Sequence, residues 1–137
     1  MSRVIVVGSI NQDVTVTVDR FPNPGETLSG TSGQRLRAEL ASHGVDVTHL
    51  REVDGPSGTA LITVNSSGEN TIILDAGANA TVTVEPAKAS LSPAPADIVV
   101  LQAEIPAEAN AEALAWAHSF GARVLLNLAP ARPTDAT

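Results

Sequence analysis

Asn11 and Asp13 form the pair whose types and spacing most directly suggest chemistry. Two residues apart in an extended segment, an amide and a carboxylate project to the same side of the chain. An ionised carboxylate only accepts hydrogen bonds, so the pair suits a ligand rich in O–H donors, such as vicinal hydroxyls. The competing account is that both residues satisfy the backbone of a turn between strands. Glu104 is a further carboxylate just beyond an apolar run. It could face a ligand, lie in solvent, or favour the start of the next helix by its charge. Asn127 closes another apolar run, and a buried amide capping a strand end accounts for it better than a ligand contact.

Those groups depend on the runs before them for their placement. Val4-Ile5-Val6-Val7 is unbroken and ends at Gly8-Ser9, the pattern of a strand buried on both faces of a parallel sheet. Asp97 to Leu101 and Ala122 to Leu128 have the same character, so core strands are expected over 3–8, 97–101 and 122–128. Ligands of open α/β sheets sit beyond the carboxyl ends of such strands. Pro106 to Phe120 has Glu108 in its first turn and Ala113, Ala117 and Phe120 along one face, which predicts a helix. Strand, helix and strand then make a right-handed βαβ unit.

A second kind of strand follows the first. Val14, Val16 and Val18 alternate with Thr15, Thr17 and Asp19, as in a strand with one covered face. Strands over 13–19, 27–30, 59–64 and 71–74 are expected to make a small antiparallel sheet. The last two form a hairpin through Asn65-Ser66-Ser67-Gly68-Glu69. Pro22-Asn23-Pro24-Gly25 is a rigid turn, and Gly33 to Gly44 a short amphipathic helix capped by Gly44. A weak strand is expected around Thr48 to Leu50, and a short helix over Pro86 to Leu91.

Composition excludes several classes. With 137 residues, 43% of them apolar, one domain is the natural expectation, and two Phe, one Trp and no Tyr imply an Ala/Val/Leu core. The net charge of −7 argues against nucleic acid or an anionic membrane as partner. No segment resembles a signal peptide or a transmembrane span, so a cytoplasmic protein is expected. Absence of Cys rules out disulfides and thiolate zinc sites. VIVVG invites a dinucleotide test, but Gly8 is followed by Ser9-Ile10-Asn11-Gln12 and no G-x-G-x-x-G opens a helix. No phosphate-loop motif exists, and His43, His49 and His118 are scattered.

Four segments share a further property. GSINQDVTVTVDRFPNPGETLSG, GTALITVNSSGENTIILDAGAN, LQAEIP and LNLAPAR resemble, in order and approximate spacing, the ribokinase-like (PfkB) carbohydrate kinases. The resemblance implies an α/β fold: a Rossmann-like parallel sheet with helices, plus a small β lid that pairs into a homodimer. It implies ATP-dependent phosphorylation of ribose or a related sugar, with ATP and Mg2+ as cofactors and a monovalent cation as a further candidate. It assigns Asn11, Asp13 and Glu104 to sugar binding. It is interrupted where Thr31-Ser32 passes directly to Gly33-Gln34-Arg35-Leu36, because the family places a glycine-rich segment with a lysine and an asparagine there. The Gly-Ala-Gly-Asp segment that supplies the family's anion hole and catalytic Asp is also absent from these residues. No catalytic or nucleotide-binding residue is therefore assigned. The expectation is an incomplete ribokinase-like domain over 1–137 without turnover of its own. The alternatives are a non-catalytic module that binds sugar or pairs through its lid, and a marginal fragment whose sheet exposes apolar surface.

Overall fold

The computed structural model describes residues 2–21, 23–24 and 36–130. In chain order the elements are strands β1 (Val4–Val7) and β2 (Asn11–Thr17), helix α1 (Leu36–Ser42), and strands β3 (Gly58–Val64) and β4 (Asn70–Asp75). A 3-10 turn (Gly77–Thr81), helix α2 (Glu85–Ser90), strand β5 (Ile98–Gln102), helix α3 (Ala107–Ser119) and strand β6 (Arg123–Asn127) follow. The expected strand over 27–30 lies outside the described residues. Where length suggested one domain, the chain divides into two compact units, Met1–Ser9 with Ala78–Thr137, and Ile10–Gly77. Among the described residues, no helix is long and apolar enough to cross a membrane.

The first unit is an α/β layer. Its sheet runs in the order β1-β5-β6 and is parallel throughout, with Val7 opposite Leu101 and Leu101 opposite Leu126. Val7, Val99 and Leu101 on one face join Ala109, Ala113, Trp116 and Ala117 of α3 in a single core. Spacings of four, seven and eight residues put those helical side chains on one stripe. Ala113 and Ala117 are wholly buried, and their small side chains let the helix approach the strands closely. Burying a leucine such as Leu101 contributes about 1.5–3 kcal/mol. Phe120 was expected on this inner face, but it caps the helix and is 41% exposed, and Trp116 takes the inner position.

Asp97 pins β1 to β5. The wholly buried carboxylate accepts the backbone N–H of Arg3 at 2.7 Å, Arg3 Nε at 3.0 Å and Arg3 Nη2 at 2.6 Å. It also accepts the N–H of Ala94 at 2.9 Å, and Ile98 N–H donates to the Arg3 carbonyl at 3.0 Å. A charge this deep persists only when paired and fully hydrogen-bonded. The Arg3 guanidinium first, then the two backbone N–H groups, hold the Asp97 carboxyl down at about 2.

The other face of the sheet departs from expectation. Val4 and Val6 are each 67% exposed and Leu125 is 60% exposed, so β1 and β6 are not buried on both faces. An apolar run shows that a strand wants cover, but an edge strand receives it only where a helix lies, and α3 lies on one side. β5, the middle strand, comes nearest to the doubly buried pattern, with Val99 and Leu101 buried and Ile98 and Val100 half-buried.

The second unit holds the other sheet, in the order β2-β3-β4. The hairpin β3–β4 is antiparallel as expected, but β2 runs parallel to β3, with Asn11 opposite Gly58 and Asp13 opposite Ala60. A parallel pair requires a long connection, and α1 lies in the sequence between β2 and β3. At the hairpin the Asn65 side-chain oxygen accepts the N–H groups of Ser67 at 3.1 Å and Glu69 at 3.0 Å. The weak strand expected at Thr48 to Leu50 is a turn. Asp46 accepts the Thr48 N–H at 2.9 Å and Leu50 N–H donates to Val47, so a local bond competes with any ladder. Gly77 has a φ of +46°, and a Cβ there would come within 2.6 Å of the Pro56 carbonyl oxygen, so only glycine fits.

Candidate functional site

The carboxyl ends of β1 and β5 meet in a compact polar cluster. Because Val7 pairs with Leu101, the next residues, Gly8 and Gln102, also lie side by side. A Cβ on Gly8 would stand 3.1 Å from Gln102 Cγ, so glycine here admits the glutamine side chain. Gln102 donates its amide N–H to Ser9 Oγ, and Ser9 donates its hydroxyl to Glu104 Oε2 at 2.9 Å. Gln102 Oε1 in turn accepts the backbone N–H of Glu104 at 2.8 Å. Asn110, in the first turn of α3, donates to the Gln102 carbonyl at 2.8 Å, and its buried Oδ1 has no hydrogen-bond partner.

Glu104 is thus half-buried and held at the mouth of the parallel sheet rather than left in a solvated loop. Ser9, Gln102 and Asn110 were not singled out from sequence. Laying the two apolar runs side by side would have exposed Gly8 and Gln102 as neighbours, since each ends its run. Asn127 caps a strand end as expected, accepting the Ala129 N–H at 3.1 Å, but it is exposed and not buried.

Asn11 and Asp13 belong to the other unit. Both lie on one face of β2, Asn11 half-buried and Asp13 exposed, beside Gly58 and Ala60 on β3. Those directly paired residues carry a hydrogen and a methyl group, so on the β3 side no bulky side chain stands opposite the amide or the carboxylate. The structure brings these two groups together on one strand, while Glu104 stands on the turn after β5. His43 is a helix-end residue, its Nδ1 2.9 Å from the Glu39 carbonyl oxygen, and His118 lies in the last turn of α3.

Known proteins resemble this chain in sequence and fold. Residues 29–137 match the pfkB family carbohydrate kinase model. The chain is 32% identical over 168 residues to a ribokinase of Staphylococcus aureus (strain COL), covering 96% of this chain and 55% of that relative. A 168-residue match to a 137-residue chain means the relative carries internal residues without a counterpart here. A ribokinase from Cryptococcus neoformans, solved in complex with ADP, superposes with a TM-score of 0.73 at 25% identity, over 96% of this chain and 52% of that one. An Arabidopsis thaliana ribokinase complexed with ribose and ATP shares the fold, with a TM-score of 0.59 at 24% identity, over 91% of this chain and 52% of that one. The chain spans about half the length of the relatives it matches. Family model, relative and fold agree with the four sequence segments, and the chain belongs to the pfkB family of carbohydrate kinases.

Proposed function

We propose that this chain supplies carbohydrate-binding groups of an ATP-dependent kinase for ribose or a related sugar, and that it does not turn over alone. Asn11 and Asp13 take sugar hydroxyls from β2, and Glu104 takes one from its turn. The observation that carries this is the Asn11–Asp13 pair on one strand face beside Gly58 and Ala60. A carboxylate accepting from two hydroxyls and an amide that both donates and accepts match the edge of a sugar ring.

We assign no nucleotide or Mg2+ contact to the described residues. Phosphoryl transfer depends on cations and oriented N–H groups around the phosphates. Lys88, the one lysine, is held between Glu85 at 2.6 Å and Glu112 at 2.7 Å, and Arg3 is committed to Asp97. The S. aureus relative carries internal residues without a counterpart here, and we place the missing segment at the 31–36 junction.

Calorimetry with ribose tests the sugar site: weak binding is expected, lost in Asn11→Ala and Asp13→Ala, and no binding by the wild-type chain overturns it. Incubation with ATP, Mg2+ and ribose is expected to give no sugar phosphate; its formation overturns the lack of turnover. A second reading, pairing of two copies through the β2-β3-β4 sheet, is favoured by β4, an edge strand exposing Ile72, Ile73 and Leu74. Sedimentation velocity showing only monomer removes it.

A further inference from the structure

We infer that Ser9 is the positioning residue of the Glu104 carboxylate, held in turn by Gln102; this rests on the reading of Glu104 as a sugar contact. The argument is one of proton bookkeeping. The backbone N–H of Glu104 can only donate, so the Gln102 atom 2.8 Å from it must be the carbonyl oxygen Oε1. That fixes the amide's orientation and turns Nε2, which can only donate, toward Ser9 Oγ. Ser9 has one hydroxyl proton, and with its oxygen accepting from Gln102, the proton goes to Glu104 Oε2, 2.9 Å away. The three bonds close a ring of single polarity: Glu104 N–H to Gln102, Gln102 N–H to Ser9, Ser9 O–H to Glu104. These donor and acceptor roles satisfy all three bonds together.

The ring does two things. It directs the serine proton to a carboxylate oxygen 2.9 Å away. It also ties a long, rotatable side chain to the backbone of its own turn, so the carboxylate is presented in one geometry before any ligand arrives. Asn110 anchors the ring from α3 through the Gln102 carbonyl, and Gly8 leaves the glutamine its space.

Carbon-13 NMR of Glu104 side-chain couplings in the full chain, with ribose calorimetry alongside, tests this. Wild type and Ser9→Thr, which keeps the hydroxyl, are expected to show one Glu104 rotamer. Ser9→Ala and Gln102→Glu, which replaces the donor by an acceptor at equal size, are expected to show averaging. Ribose affinity is expected to fall about tenfold in Ser9→Ala and recover in Ser9→Thr. In a Glu104→Ala background, Ser9→Ala is expected to cost nothing more. Trp116 fluorescence verifies that each variant is folded, and if Ser9→Ala does not fold, Gln102→Glu decides alone. An unchanged Glu104 rotamer in the folded ring variants, or an equal affinity loss in both backgrounds, overturns the inference. If the rotamer averages but the wild type binds no ribose, the positioning role stands and the sugar reading of Glu104 fails.

Discussion

The parallel sheet and the mixed sheet each have three strands and continuous ladders, but they are covered very differently. Val99 and Leu101 of β5 are withdrawn from solvent beneath α3, while β4 is exposed at every position. Helix α3 contributes four buried residues and α1 contributes none. Ladder hydrogen bonds set strand geometry in both sheets but exchange with water at a small net gain, whereas apolar burial drives folding. The contrast teaches that the first unit holds itself together, and that the second is a shaped surface in need of cover. Amides of β5 should therefore exchange far more slowly than those of β4.

The sharpest way to break that comparison is a pair of truncations. Leu101→Ala is expected to cost about 2–5 kcal/mol, and Ile73→Ala no more than about 0.5 kcal/mol. Urea unfolding followed by Trp116 fluorescence, together with exchange at β4, measures both, and equal losses would erase the distinction. Next is Gly77→Ala, which forces a side chain into a left-handed backbone against the Pro56 carbonyl. A cost of about 1–3 kcal/mol is expected, appearing as faster exchange in β3 and β4.

Acid separates the units further. The carboxyl of Asp97 is depressed from 3.8 to about 2 in the folded chain, so its contribution is complete above the unfolded value. It is expected to be lost as pH falls from about 4 to about 2. Trp116 fluorescence across that range should show the first unit weakening, and Asp97→Asn should remove this part of the pH dependence. An unchanged acid profile in the variant would mean other carboxylates govern it. The smallest effect is expected at Leu125→Thr on the open face, with thermal stability nearly unchanged and binding of a hydrophobic dye reduced. A clear fall in the melting temperature would show that the face is covered in solution.

Much of this was legible from residue order. The apolar runs at Val4 and Ile98 and the alternation after Asn11 mark strands because side-chain period reports backbone geometry directly. Asn65 and Gly68 mark the hairpin because their own conformations and side-chain bonds make the turn. Phe120 and Trp116 were confused because both are large, and only the point where α3 ends decides which one faces the sheet. Thr48 to Leu50 misled because β-branched and apolar types favour a strand, while Asp46 supplies a local bond that wins.

By itself, then, the sequence determined where the six described strands lie and the family likeness, since each depends on residues near one another in the chain. Tertiary structure alone decided that β5 is central and β1 and β6 are edges, and that β2 runs parallel to β3. It also decided that Ser9, 93 and 95 residues from Gln102 and Glu104, closes a ring with them. Those outcomes depend on which distant segments become neighbours, and no local period records that.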